Sequence, residues 1–260
     1  MKGSVQNKVV VLTGASSGVG AATARVLAEK GAIVVLAARS MDKLNKVAAE
    51  LRGKHEVVRL DVTNEEQVNE AVRSIHERFG RIDVLVNNAG FGEFVAFPEA
   101  KLAQFREMMD VNYLGVVRCC QAVYPYMREA GAGHIVNVAS IAGKLATSKS
   151  TAYSASKHAL LGFTNALRQD LKGTGIKVSA VNPGPIDTPF FDRADPEGTY
   201  VRNLGSFMLK PEQVANAIAK VIERVTPEKD MPFISGFGAK LFQLFPKLTD
   251  KLLSGILNKK

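Results

Sequence analysis

The sequence has few of the residues that hold disulfides or metal ions. Its 260 residues include only two cysteines, Cys119 and Cys120, which are adjacent and therefore badly placed to pair with each other. We expect them to be small buried apolar side chains of a helix in a reducing compartment. The four histidines, at positions 55, 76, 134 and 158, lack metal-ligand spacing, so no metal site is predicted.

Long apolar runs are also missing. None approaches the length that spans a bilayer, and the run from Val9 to Leu12 is too short for the core of a signal peptide. We therefore expect a cytoplasmic protein. The net charge of +9 is compatible with nucleic acid binding, but lysines and arginines are scattered among acids and no recognition motif is present. A nucleic acid partner is therefore not predicted.

Apolar, strand-like runs alternate with amphipathic stretches along the whole chain. Strands are predicted at residues 8–13, 33–37, 57–60, 82–86, 134–139, 177–181 and 232–235. Helices are predicted at residues 18–30, 41–51, 64–79, 99–127, 151–171 and 211–225. This alternation predicts one α/β domain with a parallel sheet and helices on both of its faces.

A glycine-rich turn joins the first strand to the first helix. Glycines let the backbone turn tightly and approach a diphosphate, which then lies at the helix N-terminus. In isolation such a cluster also fits an ordinary strand–helix loop, but its position after the first strand is the one that dinucleotide binding requires. The residues predicted to contact the cofactor here are Gly14, Ser16, Ser17, Gly18, Val19 and Gly20.

Further motifs follow this turn in a fixed order. They are Asn87-Asn88-Ala89-Gly90 after the fourth strand, Asn112, Ser140, Tyr153-x3-Lys157 and Pro183-Gly184. Together with the spacing Gly-x3-Gly-x-Gly, they make residues 8 to about 235 resemble the short-chain dehydrogenase/reductase family. The resemblance implies a doubly wound, Rossmann-type fold with a seven-stranded parallel sheet. It also implies hydride transfer between a nicotinamide cofactor and a carbonyl or alcohol carbon.

The same resemblance assigns cofactor contacts to the ends of later strands. Asp61 and Val62 are expected beside the adenine, whichever nicotinamide cofactor binds. The remaining contacts implied by the family lie after the fourth and sixth strands, at Asn88, Ala89, Gly90, Pro183, Gly184, Ile186 and Thr188.

The end of the second strand indicates which nicotinamide cofactor binds. An acidic residue there hydrogen-bonds the ribose of NAD, whereas an arginine accommodates the 2′-phosphate of NADP. The sequence has Arg39 and Ser40 at this point, nineteen and twenty residues after Gly20. An arginine can bind a phosphate with two parallel hydrogen bonds, and the serine can donate another. NADP(H) is therefore the predicted cofactor, the alternative being that Arg39 is simply solvated.

Four residues are predicted to carry the chemistry. Tyr153 and Lys157 lie four apart in a helical stretch, so they share a face. A free tyrosine has a pKa of about 10, and a nearby ammonium is expected to bring it closer to neutral pH. Ser140 ends the fifth strand, where its hydroxyl is expected to donate to the substrate oxygen rather than only cap a turn. By resemblance, Asn112 helps to hold a water that links Lys157 to a proton path. Tyr153 and Lys157 are also expected to contact the cofactor.

Residues from about 185 to 210 are interpreted as a mobile lid over the substrate. The aromatic and apolar side chains of this segment favour an apolar ligand, such as a lipid, a sterol-like molecule or an acyl ketone. They are equally consistent with side chains that only cover the core. These residues are Phe190, Phe191, Tyr200, Phe207 and Met208.

A basic, amphipathic tail is predicted at residues 239–260, after a catalytic domain that spans residues 1–238. Apolar residues recur at helical spacing after Pro246, and five lysines accompany a single acid, Asp250. A helix this short is marginal alone, so its apolar side must dock. Three sites are open: its own domain, a sister subunit, or an anionic membrane surface, which for a cytoplasmic protein is the inner one.

These observations predict an NADP(H)-dependent oxidoreductase that acts on a carbonyl or secondary alcohol of an apolar small molecule. The alternative is a non-catalytic NADP(H)-sensing or regulatory protein of the same fold, which would keep the glycine turn but could lose the catalytic residues. The helical stretches 102–127 and 151–171 correspond to those that pack between subunits in the family. A homodimer or homotetramer is therefore expected.

Overall fold

A seven-stranded parallel sheet forms the centre of the molecule. The computed structural model describes residues 4–245. The strands are Val9–Thr13 (β1), Ile33–Ala38 (β2), His55–Arg59 (β3), Val84–Asn87 (β4), Gly133–Val138 (β5), Ile176–Pro183 (β6) and Glu228–Met231 (β7). They lie in the order β3-β2-β1-β4-β5-β6-β7, and all neighbours are parallel. The predicted fold class is confirmed.

Helices cover both faces of this sheet. They are Gly18–Glu29 (α1), Met41–Ala49 (α2), Glu65–Phe79 (α3), Leu102–Met109 (α4), Gly115–Glu129 (α5), Thr151–Asp170 (α6), Phe190–Ala194 (α7), Thr199–Leu204 (α8), Pro211–Arg224 (α9) and Phe233–Leu244 (α10). Helix α3 shows how the sequence sets such bounds. The Asn64 side chain accepts a hydrogen bond from the Gln67 amide at 2.9 Å, and Gly80 ends the helix at a φ of 70°.

Two apolar cores lie on opposite faces of the sheet. Along β1, Val9 and Val11 belong to the core under α3, α5 and α6, whereas Val10 and Leu12 belong to the core under α1, α2 and α9. All four are buried, because a central parallel strand has no face open to water. This explains why the strand is a continuous apolar run rather than an alternating one.

The prediction of the last strand was wrong. A strand was predicted at residues 232–235, but β7 is Glu228–Met231, and α10 begins at Phe233 with Pro232 as its N-cap residue. Strand β7 lies at the edge of the sheet, so Glu228 and Lys229 are exposed and the strand lacks the expected apolar run. The predicted boundary between residues 238 and 239 falls inside α10. Residues 246–260, which hold the rest of the predicted tail, lie outside the described part of the chain.

The helix predicted at 99–127 is also divided. A π-helical turn at Asp110–Leu114 separates α4 from α5, and a short 3-10 turn at Phe97–Glu99 precedes α4. A π turn holds one residue more than an α-helical turn and often occurs at a functional site. Within residues 4–245, no helix combines the length and the apolar character that crossing a membrane requires.

The strand order determines where ligands can bind. The chain winds outward in one direction from β1 through β2 to β3, and in the other from β4 to β7. A crevice therefore opens between the carboxyl ends of β1 and β4, where the winding reverses and dinucleotides bind in such sheets. The glycine turn follows β1 and Asn88 follows β4, so the predicted cofactor residues meet at this crevice.

Candidate active site

The turn between β1 and α1 is built by close approach of main-chain atoms. Gly14 has a φ of +66°, and a Cβ there would lie 2.8 Å from the Ala89 Cα. A Cβ on Gly20 would overlap the Gly14 carbonyl oxygen and lie 2.8 Å from the Asn88 Nδ2. Side chains are therefore excluded from both positions, which leaves a main-chain cradle of the kind that fits a diphosphate.

Hydrogen bonds tie this cradle to the end of β4. The Asn88 Nδ2 donates to the carbonyl oxygens of Thr13 and Gly14, at 3.1 and 3.2 Å. The buried Thr13 hydroxyl accepts from the backbone amides of Asn88 and Ala89, at 3.0 and 3.1 Å. Thr13 thus positions the predicted cofactor residues Asn88 and Ala89, although it was not itself predicted as a site residue.

The N-terminus of α1 is suited to receive an anion. The Ser17 side chain does not cap this helix, and its first turn carries no acidic residue, so the first amides remain available. Ser16 and Val19 flank this position in the turn and the first helical turn. Gly18 has a φ of +51°, and a Cβ there would lie 3.2 Å from the Thr188 side chain. Thr188 therefore closes the predicted phosphate site from the opposite side.

Arg39 and Ser40 directly follow β2, at the place where a 2′-phosphate would bind. Arg39 is exposed just after β2, and none of the ion pairs formed by residues 4–245 involves it. Ser40 is the N-cap residue of α2, and its side chain forms no cap hydrogen bond. The guanidinium and the hydroxyl are therefore both available to a phosphate.

The predicted adenine contacts follow β3. One oxygen of the Asp61 carboxylate accepts from the amide and the hydroxyl of Thr63, at 3.0 and 2.8 Å. Val62 is buried, and it packs so closely on Gly115 that a Cβ at residue 115 would lie 2.7 Å from the Val62 side chain. This packing fixes the end of β3 against the start of α5.

The residues predicted after β6 line the same crevice. The Pro183 carbonyl oxygen accepts a hydrogen bond from the Ser140 hydroxyl at 3.3 Å, and the Gly184 amide donates to the Met231 carbonyl at 2.6 Å. Ile186 forms a bridge with Leu209. The two ends of the lid segment are thereby held together at its base.

Tyr153, Ser140 and Lys157 form one cluster at the carboxyl ends of β5 and β6. Ser140 is a polar neighbour of Tyr153 and acts to lower the pKa of its phenol. The Lys157 ammonium is buried, donates to the Val138 carbonyl at 3.1 Å and lies 5.9 Å from the centre of the Tyr153 ring. Burial lowers the pKa of Lys157 to about 8, because the charged form loses its hydration.

The pKa of the Tyr153 phenol differs from the expected one. Lys157 was expected to bring this pKa closer to neutral pH. Burial raises the pKa of Tyr153 to about 12, although Ser140 acts in the opposite direction. The expected shift depended on an ammonium about 4 Å from the phenol at an effective dielectric near 20, whereas here both groups lose water. At neutral pH the phenol is therefore protonated and suited to donate a proton.

Asn112 is buried in the π-helical turn and points at the same cluster. Its side chain forms two hydrogen bonds with the main chain of Phe91. The Asn112 Nδ2 donates to the Phe91 carbonyl at 2.8 Å, and the Asn112 Oδ1 accepts from the Phe91 amide at 3.0 Å. Its Nδ2 also donates to the Ser156 hydroxyl at 3.0 Å. A Cβ on Gly90 would lie 3.0 Å from the Asn112 Oδ1 and 3.6 Å from the Lys157 Nζ. Asn112 therefore joins the cofactor loop to the catalytic helix α6.

Aromatic rings cover Tyr153 from the side of the lid. Phe190 lies 5.6 Å from Tyr153 between ring centres, and Phe94 lies 6.2 Å from it. Phe191 and Tyr200 extend the cluster around Phe94, at 6.3 and 5.3 Å. Of the lid residues singled out in the sequence, Phe207 points away and is 83% exposed.

The sequence analysis missed the contacts that fix this lid. The Arg193 guanidinium of α7 bonds to Glu93 in the loop after β4 at 2.7 Å and to Glu107 of α4 at 2.9 Å. It also stacks over the Phe91 ring, 3.7 Å from its centre. No sequence pattern marks these partners, which lie 86 to 100 residues from Arg193. Phe94 was missed for the same reason.

Comparisons with known proteins show which family this chain is similar to. A family model described as short chain dehydrogenase matches residues 8–198. An uncharacterized oxidoreductase of Staphylococcus saprophyticus is 43% identical over 195 residues, which cover 74% of this chain and 83% of that relative.

Solved structures give a similar result. A variant of an actinorhodin polyketide ketoreductase, solved with NADPH, is 32% identical with a TM-score of 0.79, and the match covers 88% of this chain and 97% of that one. An alcohol dehydrogenase from the archaeon Thermococcus sibiricus, solved with 5-hydroxy-NADP, is 31% identical with a TM-score of 0.77, over 87% and 95% of the two chains.

Proposed function

Because the chain belongs to the short chain dehydrogenase family of oxidoreductases, we propose that it uses NADPH to reduce the carbonyl group of an apolar small molecule. The observation that carries this proposal is the cluster of Tyr153, Ser140 and Lys157 beside a main-chain cradle. A non-catalytic sensor would have no need for a phenol, a serine hydroxyl and a buried ammonium clustered at this place. The sensor reading is therefore the weaker alternative.

The residues at the crevice suit a dinucleotide. The cradle at Gly14, Gly18 and Gly20 would hold its diphosphate, and Asp61 and Val62 would border its adenine. Arg39 and Ser40, both available at the end of β2, support NADPH rather than NADH. When bound, the reduced cofactor supplies the hydride that the reaction needs.

The chain's own residues supply the proton and hold the substrate. Carbonyl reduction adds a hydride to carbon and a proton to oxygen, and the Tyr153 phenol donates that proton. The Ser140 hydroxyl donates a hydrogen bond to the same oxygen and so stabilises its developing charge. The Lys157 ammonium, held by the Val138 carbonyl, favours the phenolate that remains. The raised pKa keeps the Tyr153 phenol protonated at neutral pH, which is the form that carbonyl reduction needs.

The lid supports an apolar substrate. The rings of Phe94 and Phe190 lie beside the reactive phenol, and the Tyr200 ring packs on Phe94. An apolar molecule loses little on leaving water for such a site, whereas a charged one would need partners. The ketoreductase that resembles this chain acts, by its name, on a polyketide, which is compatible with this substrate class.

Cofactor choice and turnover test the proposal together. We expect the protein to bind NADPH at least about tenfold more tightly than NADH, a difference of about 1.4 kcal/mol. It should also consume NADPH with members of a panel of apolar ketones. Arg39→Asp should abolish or reverse the cofactor preference, while Arg59→Asp, at the end of the neighbouring strand β3, serves as a charge-matched control. Equal affinities in the unmodified protein would refute the NADPH assignment, and inactivity against every carbonyl would favour the sensor.

We further propose that the protein forms a homodimer or homotetramer. Helix α4 and the π-helical turn expose Leu102 and Leu114, at 65% and 41%, on the stretch that corresponds to subunit contacts in the family. Light scattering at micromolar concentration should give a mass at least twice that of one chain. A single-chain mass would contradict this assembly.

A further inference from the structure

Helix α10 exposes a row of large apolar side chains. Five residues of this twelve-residue helix are between 36% and 80% exposed: Phe233, Ile234, Phe237, Leu241 and Leu244. At about 100° per residue they fall within an arc of about 100° on one side of the helix. An apolar row of this kind is typical of an interaction surface rather than of scattered surface residues. We call these five residues the α10 face.

The opposite side of α10 packs on the domain. Gly236 is buried, and a Cβ there would lie 2.5 Å from the Asp230 Cβ. Ala239 is completely buried. The helix is therefore anchored through its small residues, and this leaves the α10 face pointing outward.

The residues that anchor α10 are connected to the turn that follows Ser140. Asp230 and Glu228 of β7 bind the Lys144 ammonium, at 2.6 and 2.8 Å. Lys144 follows the short turn Ile141–Gly143 that begins at Ser140, and α10 packs against this turn. The α10 face therefore lies at the same edge of the sheet as the catalytic residues.

Charge decides what can cover this face. Residues 233–260 contain five lysines, Lys240, Lys247, Lys251, Lys259 and Lys260, and one acid, Asp250. A second copy carries the same excess of positive charge, which opposes association of two copies through α10. A surface with an apolar layer beneath a negatively charged layer complements both the α10 face and the lysines.

We propose that the α10 face docks the protein on the surface of a bilayer that contains anionic phospholipids. Phe233, Ile234, Phe237, Leu241 and Leu244 enter the boundary between headgroups and acyl chains, and the excess of lysines in the sequence of residues 233–260 favours a negatively charged surface. Docking places the carboxyl edge of the sheet towards the membrane. If the proposed apolar substrate is correct, it can then pass from the bilayer to the lid, but docking itself does not depend on that substrate.

Cosedimentation with lipid vesicles tests this proposal. The full chain should bind vesicles of phosphatidylglycerol mixed with phosphatidylcholine at low salt, and binding should fall at high salt and on pure phosphatidylcholine. The double variant Phe237→Ser, Leu244→Ser should bind at least about tenfold more weakly. The control Met41→Ser, Val225→Ser removes two exposed apolar side chains from α2 and the end of α9, and it should bind like the unmodified protein.

Several results would overturn the proposal. They are the absence of vesicle binding, salt-independent binding, and equal binding by the Phe237→Ser, Leu244→Ser variant. Stronger binding after truncation behind Phe245 would show that residues 246–260 cover the α10 face instead of assisting it. A lower molecular mass of the double variant in solution would assign the face to a second copy. NADPH binding, measured in parallel, verifies that each variant is folded and separates failure of docking from failure of the proposed activity.

Discussion

Around Gly14 and Gly20, main-chain atoms approach so closely that no side chain fits, whereas the lid over Tyr153 is held by aromatic rings and by ion pairs at the surface. The close main-chain contacts at Gly14 and Gly20 tolerate no added side chain, because the backbone segments on both sides of the contact would have to move. The second consists of separable side chains, since Arg193 remains 42% exposed beside its partners. We therefore expect the proposed cofactor side of the site to be rigid and the proposed substrate side to open. Substitutions that change one group on each side should therefore have different effects.

The largest expected effect comes from the group that lies between the two sides. Tyr153→Phe removes only the proton donor, so turnover should fall about a thousandfold while NADPH affinity stays within about twofold. Stopped-flow kinetics and fluorescence titration measure the two quantities. Tyr126→Phe, which alters a ring stacked on His76 away from the site, is the control and should be unaffected. Retention of turnover by the Tyr153 variant would exclude it as the acid.

A methyl group on the rigid side should also have a large effect. Gly20→Ala forces a Cβ onto the Gly14 carbonyl oxygen, so stability should fall by about 1–3 kcal/mol and NADPH should bind at least about tenfold more weakly. Gly162→Ala is the matched control, because Gly162 lies on α6 with nothing within 4 Å of its missing Cβ. That control should gain up to about 1 kcal/mol. Denaturant unfolding and cofactor titration distinguish these outcomes.

The pH dependence of the rate tests the buried ammonium. Burial lowers the pKa of Lys157 to about 8, so its charge is present below that pH and is lost as the pH rises through it. We expect kcat/KM for carbonyl reduction to be level below about pH 8 and to fall about tenfold per pH unit above it. Tyr153, with its pKa raised to about 12, stays protonated over this range. A profile that remains level to about pH 10 would contradict the role of the lysine charge.

The smallest effect is expected on the side that opens. Arg193→Leu removes the bonds to Glu93 and Glu107 but leaves the rings in place, so KM should rise about three- to tenfold with a smaller change in kcat. Arg202→Leu is the control on the same segment, because Arg202 bonds only within the lid, to the Glu197 carbonyl and the Thr199 hydroxyl. If the two variants behave alike, the Arg193 contacts do not hold the lid.

The parts of the molecule that could be predicted are those in which neighbouring residues determine the geometry. The turn from Gly14 to Gly20 and the pair Tyr153 and Lys157 are local patterns, so their places at the crevice follow once the strand order is known. Strand β7 was missed because an edge strand needs no continuous apolar run, and the apolar residues after Pro232 belong to a helix. The partners of Arg193 and the raised pKa of Tyr153 depend on packing between distant segments, which one sequence does not reveal.

The π-helical turn that carries Asn112 fixes the number of residues between α4 and α5. Deleting one residue there would let the two helices join as a regular α-helix, and the side chains on one side would rotate by about 100°. Asn112 would then leave Phe91 and Ser156, although every other residue of the segment remained the same. A residue inserted in the loop between α7 and α8 meets no such restriction, because loop closure depends only weakly on length. Evolution can therefore lengthen the lid freely, but it can change the length at residues 110–114 only by giving up the position of Asn112.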